Sequence, residues 1–212
     1  MVVVPESDGP GSTAGTLSDL IKRRRMTRRF SGDPVDLALV LEMCDTARRA
    51  PSAGYSQGSH LLVLHGSSLI DFWRVSGAGK WFGDRFPELL LAGAVVVPFA
   101  DETAYLERYS RPDKIGHGLA TAEAWSVPYW LTDTAMVVQN LLLLVEERRL
   151  GALFFGLTVD PSALTTHFGV PHHMRPIGAV AIGVRSSTDT PSGTGASVPR
   201  RPPHQVIHVG TW

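Results

Sequence analysis

The sequence predicts an α+β fold. Helical and strand-like segments mix with no regular βαβ rhythm. No glycine-rich dinucleotide fingerprint follows a strand; the nearest match, "GHGLAT", lacks the third glycine. One long segment, Ala135 to Val145, is apolar nearly all round, so it belongs in a core or a subunit interface.

Residues 1–15, "MVVVPESDGPGSTAG", have neither a basic n-region nor an apolar stretch of signal-peptide length. They read as a disordered leader before a single domain, 16–212. Thr16 followed by Asp19 resembles an N-cap with an acidic third position and starts a helix with Leu17, Leu20 and Ile21 on one face. A second helix is expected over Asp36 to Ala50, burying Leu37, Val40, Leu41, Cys44 and Ala47 before Pro51 ends it. "HLLVLH" and "GAVVVPF" are strands, with a helical "SLIDFWRV" between them. Residues 101–130 show no sustained period and read as an excursion packed over a site. "DTAMVVQNLLLLVEERR" is a helix with Asp133 as its cap; Gln139 and Asn140 and its length exclude a membrane span. "GALFFGL" follows as a buried strand or loop. A short helix then starts from Asp160 and Pro161, and "IGAVAIGV" is a strand. Arg185 to Pro199 reads as a linker to the tail "RRPPHQVIHVGTW".

Composition narrows the function. At 212 residues and 43% hydrophobic content the chain can bury one substantial core. A formal charge of +0, with no second basic stripe, lacks the electrostatic footprint of a nucleic-acid binder. The single cysteine, Cys44, rules out an intramolecular disulfide and points to a packed thiol. A cytoplasmic location follows as the default. There is no Walker loop, no G-x-S-x-G elbow and no Cys/His cluster; His172 with His173, and His204 with His208, lack further ligands. With no self-sufficient catalytic constellation, any chemistry must come from a bound cofactor.

Two stretches suggest where it binds. "RRRMTRRF", Arg23 to Phe30, holds five arginines. Extending the face of Leu17, Leu20 and Ile21 reaches Arg24, Arg25 and Arg28, which would be partly desolvated and in need of an anion, whereas Arg23 and Arg29 point to solvent. Three readings compete: a wet helix end, a nucleic-acid patch disfavoured by the charge balance, and a site for a small phosphorylated ligand. The loop "APSAGYSQGS", Ala50 to Ser59, is built of small and amide residues that let backbone approach a flat ring.

In order along the chain, "RRMTRRF", "APSAGYSQGS", "WLTDTAMVVQNLLLLVEERRLGALFFGL" and "RRPPHQVIH" resemble the motifs of the flavin-dependent nitroreductase family, from about Leu17 to Trp212. The resemblance implies a nitroreductase-like three-layer sandwich, a central mainly antiparallel sheet flanked by helices, working as a homodimer whose C-terminal tail, 200–212, embraces the partner. It implies FMN, with Arg24, Arg25, Met26, Arg28, Arg200 and Arg201 at the phosphate and ribityl chain. Pro51, Ser52, Ala53, Tyr55 and Gln57 would lie along the flavin, partly from the other subunit, and Phe154, Phe155 and Gly156 would back the ring. Met26 stands where serine is usual, Tyr55 where asparagine is usual, and Gly58-Ser59 where Pro-Trp is usual. The implied activity is hydride transfer from NAD(P)H through flavin N5 to a nitroaromatic or quinone. An oxidase or dehydrogenase of a biosynthetic intermediate, or a non-catalytic flavin-binding protein, are the alternatives. Trp125, in "AEAWSVPYW", is either core or a wall of the substrate site.

Overall fold

The computed structural model describes residues 16–157, 161–191 and 197–212. The expected leader, 1–15, and the Asp160 cap lie outside the described residues. Five strands, β1 (Ser59–His65), β2 (Ala94–Asp101), β3 (Gly151–Phe155), β4 (Met174–Pro176) and β5 (Ala179–Gly183), form one sheet in the order β1-β2-β5-β3. Every pairing of these strands is antiparallel, and β4 and β5 share one edge of β2, opposite β1. The helices are α1 (Leu17–Arg23), α2 (Leu37–Ala47), α3 (Ser67–Val75), α4 (Ala78–Gly83), α5 (Glu102–Tyr109), α6 (Tyr129–Glu147) and α7 (Ser162–His167).

The period-2 alternation of β2 sorts the core into two layers. Ala94 and Val96 face α2 and α6, meeting Val40, Met43, Cys44, Val138, Leu141 and Val145. Val95, Val97 and Phe99 face the opposite layer of Phe30, Leu69, Phe72, Phe82 and Leu164. Helices thus cover both faces of the central strand, whose eight residues are all buried. Burial pushes the Cys44 thiol up to about 11, as expected of a packed thiol.

Local signals place several boundaries. Thr16 and Asp19 form a reciprocal capping box, and Asp36 accepts the Ala38 N–H at 2.9 Å to start α2. Other expectations are corrected. The second helix ends at Ala47 and buries Met43, leaving Leu37 and Leu41 exposed; of the α1 face only Leu20 is buried. The excursion contains α5, because Asp101 caps it by accepting from Thr103 N and Ala104 N. Asp133 is not a cap. Its helix begins four residues earlier, at Tyr129, and Asp133 is buried inside it. The start of the expected linker is tied into the fold through Arg185, Ser186 and Asp189.

Candidate cofactor site

The arginine stretch leaves the helix almost at once. After α1 the chain extends along the free edge of β3, where Met26 bridges Ala152 in parallel and Thr27 N–H donates to the Ala152 carbonyl at 2.8 Å. Arg24, Arg25 and Arg28 are half-buried and Arg23 and Arg29 exposed, as the phase predicted, but an edge segment places them rather than a continuing helix.

Buried carboxylates of the same chain take several of these arginines. Arg25 pairs with Asp189 through Nη1 and donates from Nη2 to the Asp189 carbonyl at 2.8 Å. The other Asp189 oxygen accepts the Arg28 and Arg29 amides at 3.1 and 3.0 Å. Glu146 joins Arg23 Nε, at 3.2 Å, to Arg185. Arg25 is therefore committed to Asp189, and Arg23 is paired rather than merely solvated. Arg24 differs: its Nη1 is buried with no hydrogen-bond partner. A desolvated guanidinium nitrogen in that state is costly unless an anion meets it.

Met26 points inward. Its side chain packs between the two core layers, and its sulfur accepts the Phe154 N–H at 3.4 Å. It shapes β3 from within the protein.

Arg28 lines a cavity of about 230 Å³ with Trp81, Phe82, Phe86, Phe154, Phe155 and Gly156. Its guanidinium lies 5.8 Å from the Phe86 ring centroid. The space where a Gly156 side chain would stand is open. The aromatic residues of α4 and the following turn carry no motif of their own in the sequence.

Pro51, Ser52, Tyr55 and Gln57 line a separate, more polar cavity of about 430 Å³ with Arg48 and Arg49. The expected site is thus split in two within one chain. Ala53 turns inward instead: its N–H donates to Asp133 at 2.9 Å, and the same carboxylate oxygen accepts the Tyr105 hydroxyl at 2.8 Å. Burial first, and that hydrogen bond second, drive the Tyr105 hydroxyl pKa far up, so it stays a donor. Arg108 Nε holds the Gly54 carbonyl at 2.8 Å, and Ser52 Oγ accepts the Gln57 N–H at 3.0 Å. Gly54, at φ 61°, could carry no side chain, since a Cβ would sit 2.8 Å from the Tyr109 ring. A Cβ at Gly58 would sit 2.7 Å from both the Asp101 carbonyl and Tyr105, which explains why this loop departs from Pro-Trp.

Arg200 and Arg201 are exposed, and no hydrogen bond or ion pair among the described residues joins them to the Arg24–Arg28 segment. Trp125 lines neither cavity. Its ring packs against Tyr105, Tyr109, Tyr129 and Trp130, and its Nε1 donates to the Leu119 carbonyl at 2.9 Å. Within one chain these are packing contacts. Trp125→Ala should cost about 2–4 kcal/mol of stability, measured by denaturant unfolding; kinetics altered at unchanged stability would restore the wall.

Among the described residues, no cluster of three metal-ligating side chains exists, and no helix is long and apolar enough to cross a membrane. The chain is 26% identical to an NADH dehydrogenase of Thermus thermophilus over 80% of its own length and 87% of that protein's. Its fold is shared with a nitroreductase-like family protein from Bacillus cereus, at TM-score 0.67, 23% identity and coverage of 94% and 98% of the two chains. It is shared too with the nitroreductase CinD from Lactococcus lactis, at TM-score 0.73, 16% identity and coverage of 92% and 100%. CinD has been solved in complex with chloramphenicol and with 4-nitrophenol. Residues 21–184 match the sequence profile of the Nitroreductase family, spanning both cavities and the whole sheet, and the chain belongs to that family.

Proposed function

We propose that the protein is an FMN-dependent oxidoreductase that takes a hydride from NAD(P)H and passes it to an electron-poor acceptor such as a nitroaromatic or a quinone. The observation that carries this reading is the buried, unpartnered Nη1 of Arg24, in the same edge segment as Arg28 and its aromatic cavity. Cationic nitrogen and a flat apolar wall suit the two ends of a flavin mononucleotide. Arg24 and Arg28 would hold the phosphate, while Phe154, Phe155 and Gly156 would lie against the ring and keep water from it. The chemistry supplied by bound FMN is hydride acceptance from the nicotinamide and hydride delivery to the acceptor; the chain supplies binding, orientation and a dry wall. The names of the relatives, an NADH dehydrogenase and a nitroreductase solved with two nitroaromatic compounds, support the donor and acceptor classes.

A homodimer completes this reading. Leu17, Ile21, Leu37, Leu41 and Met136 leave an exposed apolar set on α1, α2 and α6, and the long buried helix is not fully covered by its own chain. A second copy seated there would bring its Pro51–Gln57 loop to the first cavity, and its exposed tail could add Arg200 and Arg201. The purified protein should be yellow, release FMN rather than FAD on denaturation, bleach on anaerobic NADPH or NADH addition and scatter light as a dimer. A colourless protein that also fails to bind added FMN would sink the proposal.

A further inference from the structure

Glu146 stands where a carboxylate is costly. It lies in the last turn of α6, where the helix dipole opposes negative charge, and it is only 5% exposed. Stabilising α6 does not account for it. Its two oxygens reach instead to arginines of two distant segments: Oε1 accepts from Arg23 Nε at 3.2 Å, and Oε2 pairs with Arg185 Nη2.

Both partners lead to the arginine segment. Arg23 ends α1 and directly precedes Arg24. Arg185 follows β5, bridges Phe30 in antiparallel register and donates from Nε to the Thr27 hydroxyl at 3.2 Å. Thr27 is fully buried, and its N–H donates to the Ala152 carbonyl. The cluster is close-packed: a Cβ at Gly151 would stand 2.7 Å from the Thr27 side chain and 2.8 Å from that of Arg185. Glu146 therefore fixes the chain at Arg23 and, through Arg185, at Thr27. Arg24 lies between these two points, its N–H bonded back to the Leu20 carbonyl at 2.9 Å and its buried Nη1 without a hydrogen-bond partner. All of these contacts lie within one chain, so they hold whatever surface a second copy covers.

We infer that Glu146 is a positioning residue, which aims Nη1 of Arg24 at the FMN phosphate by anchoring the segment on both sides of it. The inference rests on the proposed function for the identity of that phosphate. A carboxylate near a phosphate repels it, so by Coulomb forces alone removal of the Glu146 charge would strengthen binding. Loss of positioning has the opposite sign, because a charge-assisted hydrogen bond weakens once its donor moves off line.

The test is fluorescence titration of the full-length protein, freed of bound flavin, with FMN and with riboflavin, which has no phosphate. Glu146→Gln keeps the size of the side chain and should weaken FMN binding about tenfold, with riboflavin affinity within about twofold of wild type. In an Arg24→Ala background the same substitution should change FMN affinity by less than about twofold, since the group it acts through is gone. Thr27→Val leaves every charge in place and should weaken FMN binding alone, by about threefold; it carries the test if Glu146→Gln does not fold. Equal losses for FMN and riboflavin would reduce Glu146 to a role in folding and overturn the inference. Unchanged or tighter FMN binding, or losses that add in the double variant, would overturn it too. A wild type that binds neither flavin would sink the proposed function and the inference together, whereas the other results would sink the inference alone.

Discussion

Arg24→Ala is expected to raise the FMN dissociation constant roughly 10- to 100-fold, whereas Arg25→Ala should leave it within about threefold. The two residues are adjacent and equally cationic, yet the fold uses them differently. Arg24 has a buried nitrogen with nothing to bond, so under the proposed function truncation removes a charge-assisted contact to the phosphate of about 1.5–3 kcal/mol. Arg25 is already committed to Asp189, whose side chain is only 1% exposed. Removing Arg25 leaves that carboxylate buried with the two amides of Arg28 and Arg29 alone, which should cost about 3 kcal/mol of folding stability. Flavin fluorescence titration and urea unfolding separate the outcomes. Equal losses of FMN affinity in both variants would mean that Arg25 leaves Asp189 to meet the phosphate.

The second large effect is expected at Asp133. Asp133→Ala strands the Ala53 N–H and the buried Tyr105 hydroxyl, each worth about 1–3 kcal/mol when left without an acceptor. Relief of burying a charge returns part of this, so a net loss of about 2–4 kcal/mol and a fall in thermal midpoint of roughly 5–15 °C should follow. Asp133→Asn keeps an oxygen at the same place and should lose less than half as much. Amide exchange should also quicken from Ser52 to Gln57, because the loop loses its hold on α6. An Asp133→Ala protein as stable as wild type, with the loop equally protected, would show that the carboxylate is no brace.

The elements legible in the sequence were those whose causes are local. Thr16 with Asp19, and Asp36 with Ala38, are caps that act within one turn, so their residue types announce the helix starts. The runs Leu61 to Leu64 and Gly93 to Phe99 are strands because strand-forming residues repeat over a few positions, and β2 is buried on both faces as such a continuous run requires. Motif order was enough for the family and the sandwich. Pairing across the fold was not legible. Arg25 and Asp189 lie 164 residues apart, and Arg23 and Glu146 lie 123 apart. Only the edge docking on β3 brings the arginine segment beside its carboxylates, and no pattern in either stretch encodes that meeting. Asp133 shows the same limit. Before "TAMVVQ" it has the composition of a cap, but the helix starts earlier at Tyr129 because tertiary packing buries Trp130, and the carboxylate is then free to turn inward to Ala53 and Tyr105. Composition and short-range period determined the helices, the strands and which arginines could be half-buried. Long-range desolvation, which forces each buried charge to find whichever partner the sheet places beside it, decided which arginines are paired and left Nη1 of Arg24 without a hydrogen bond.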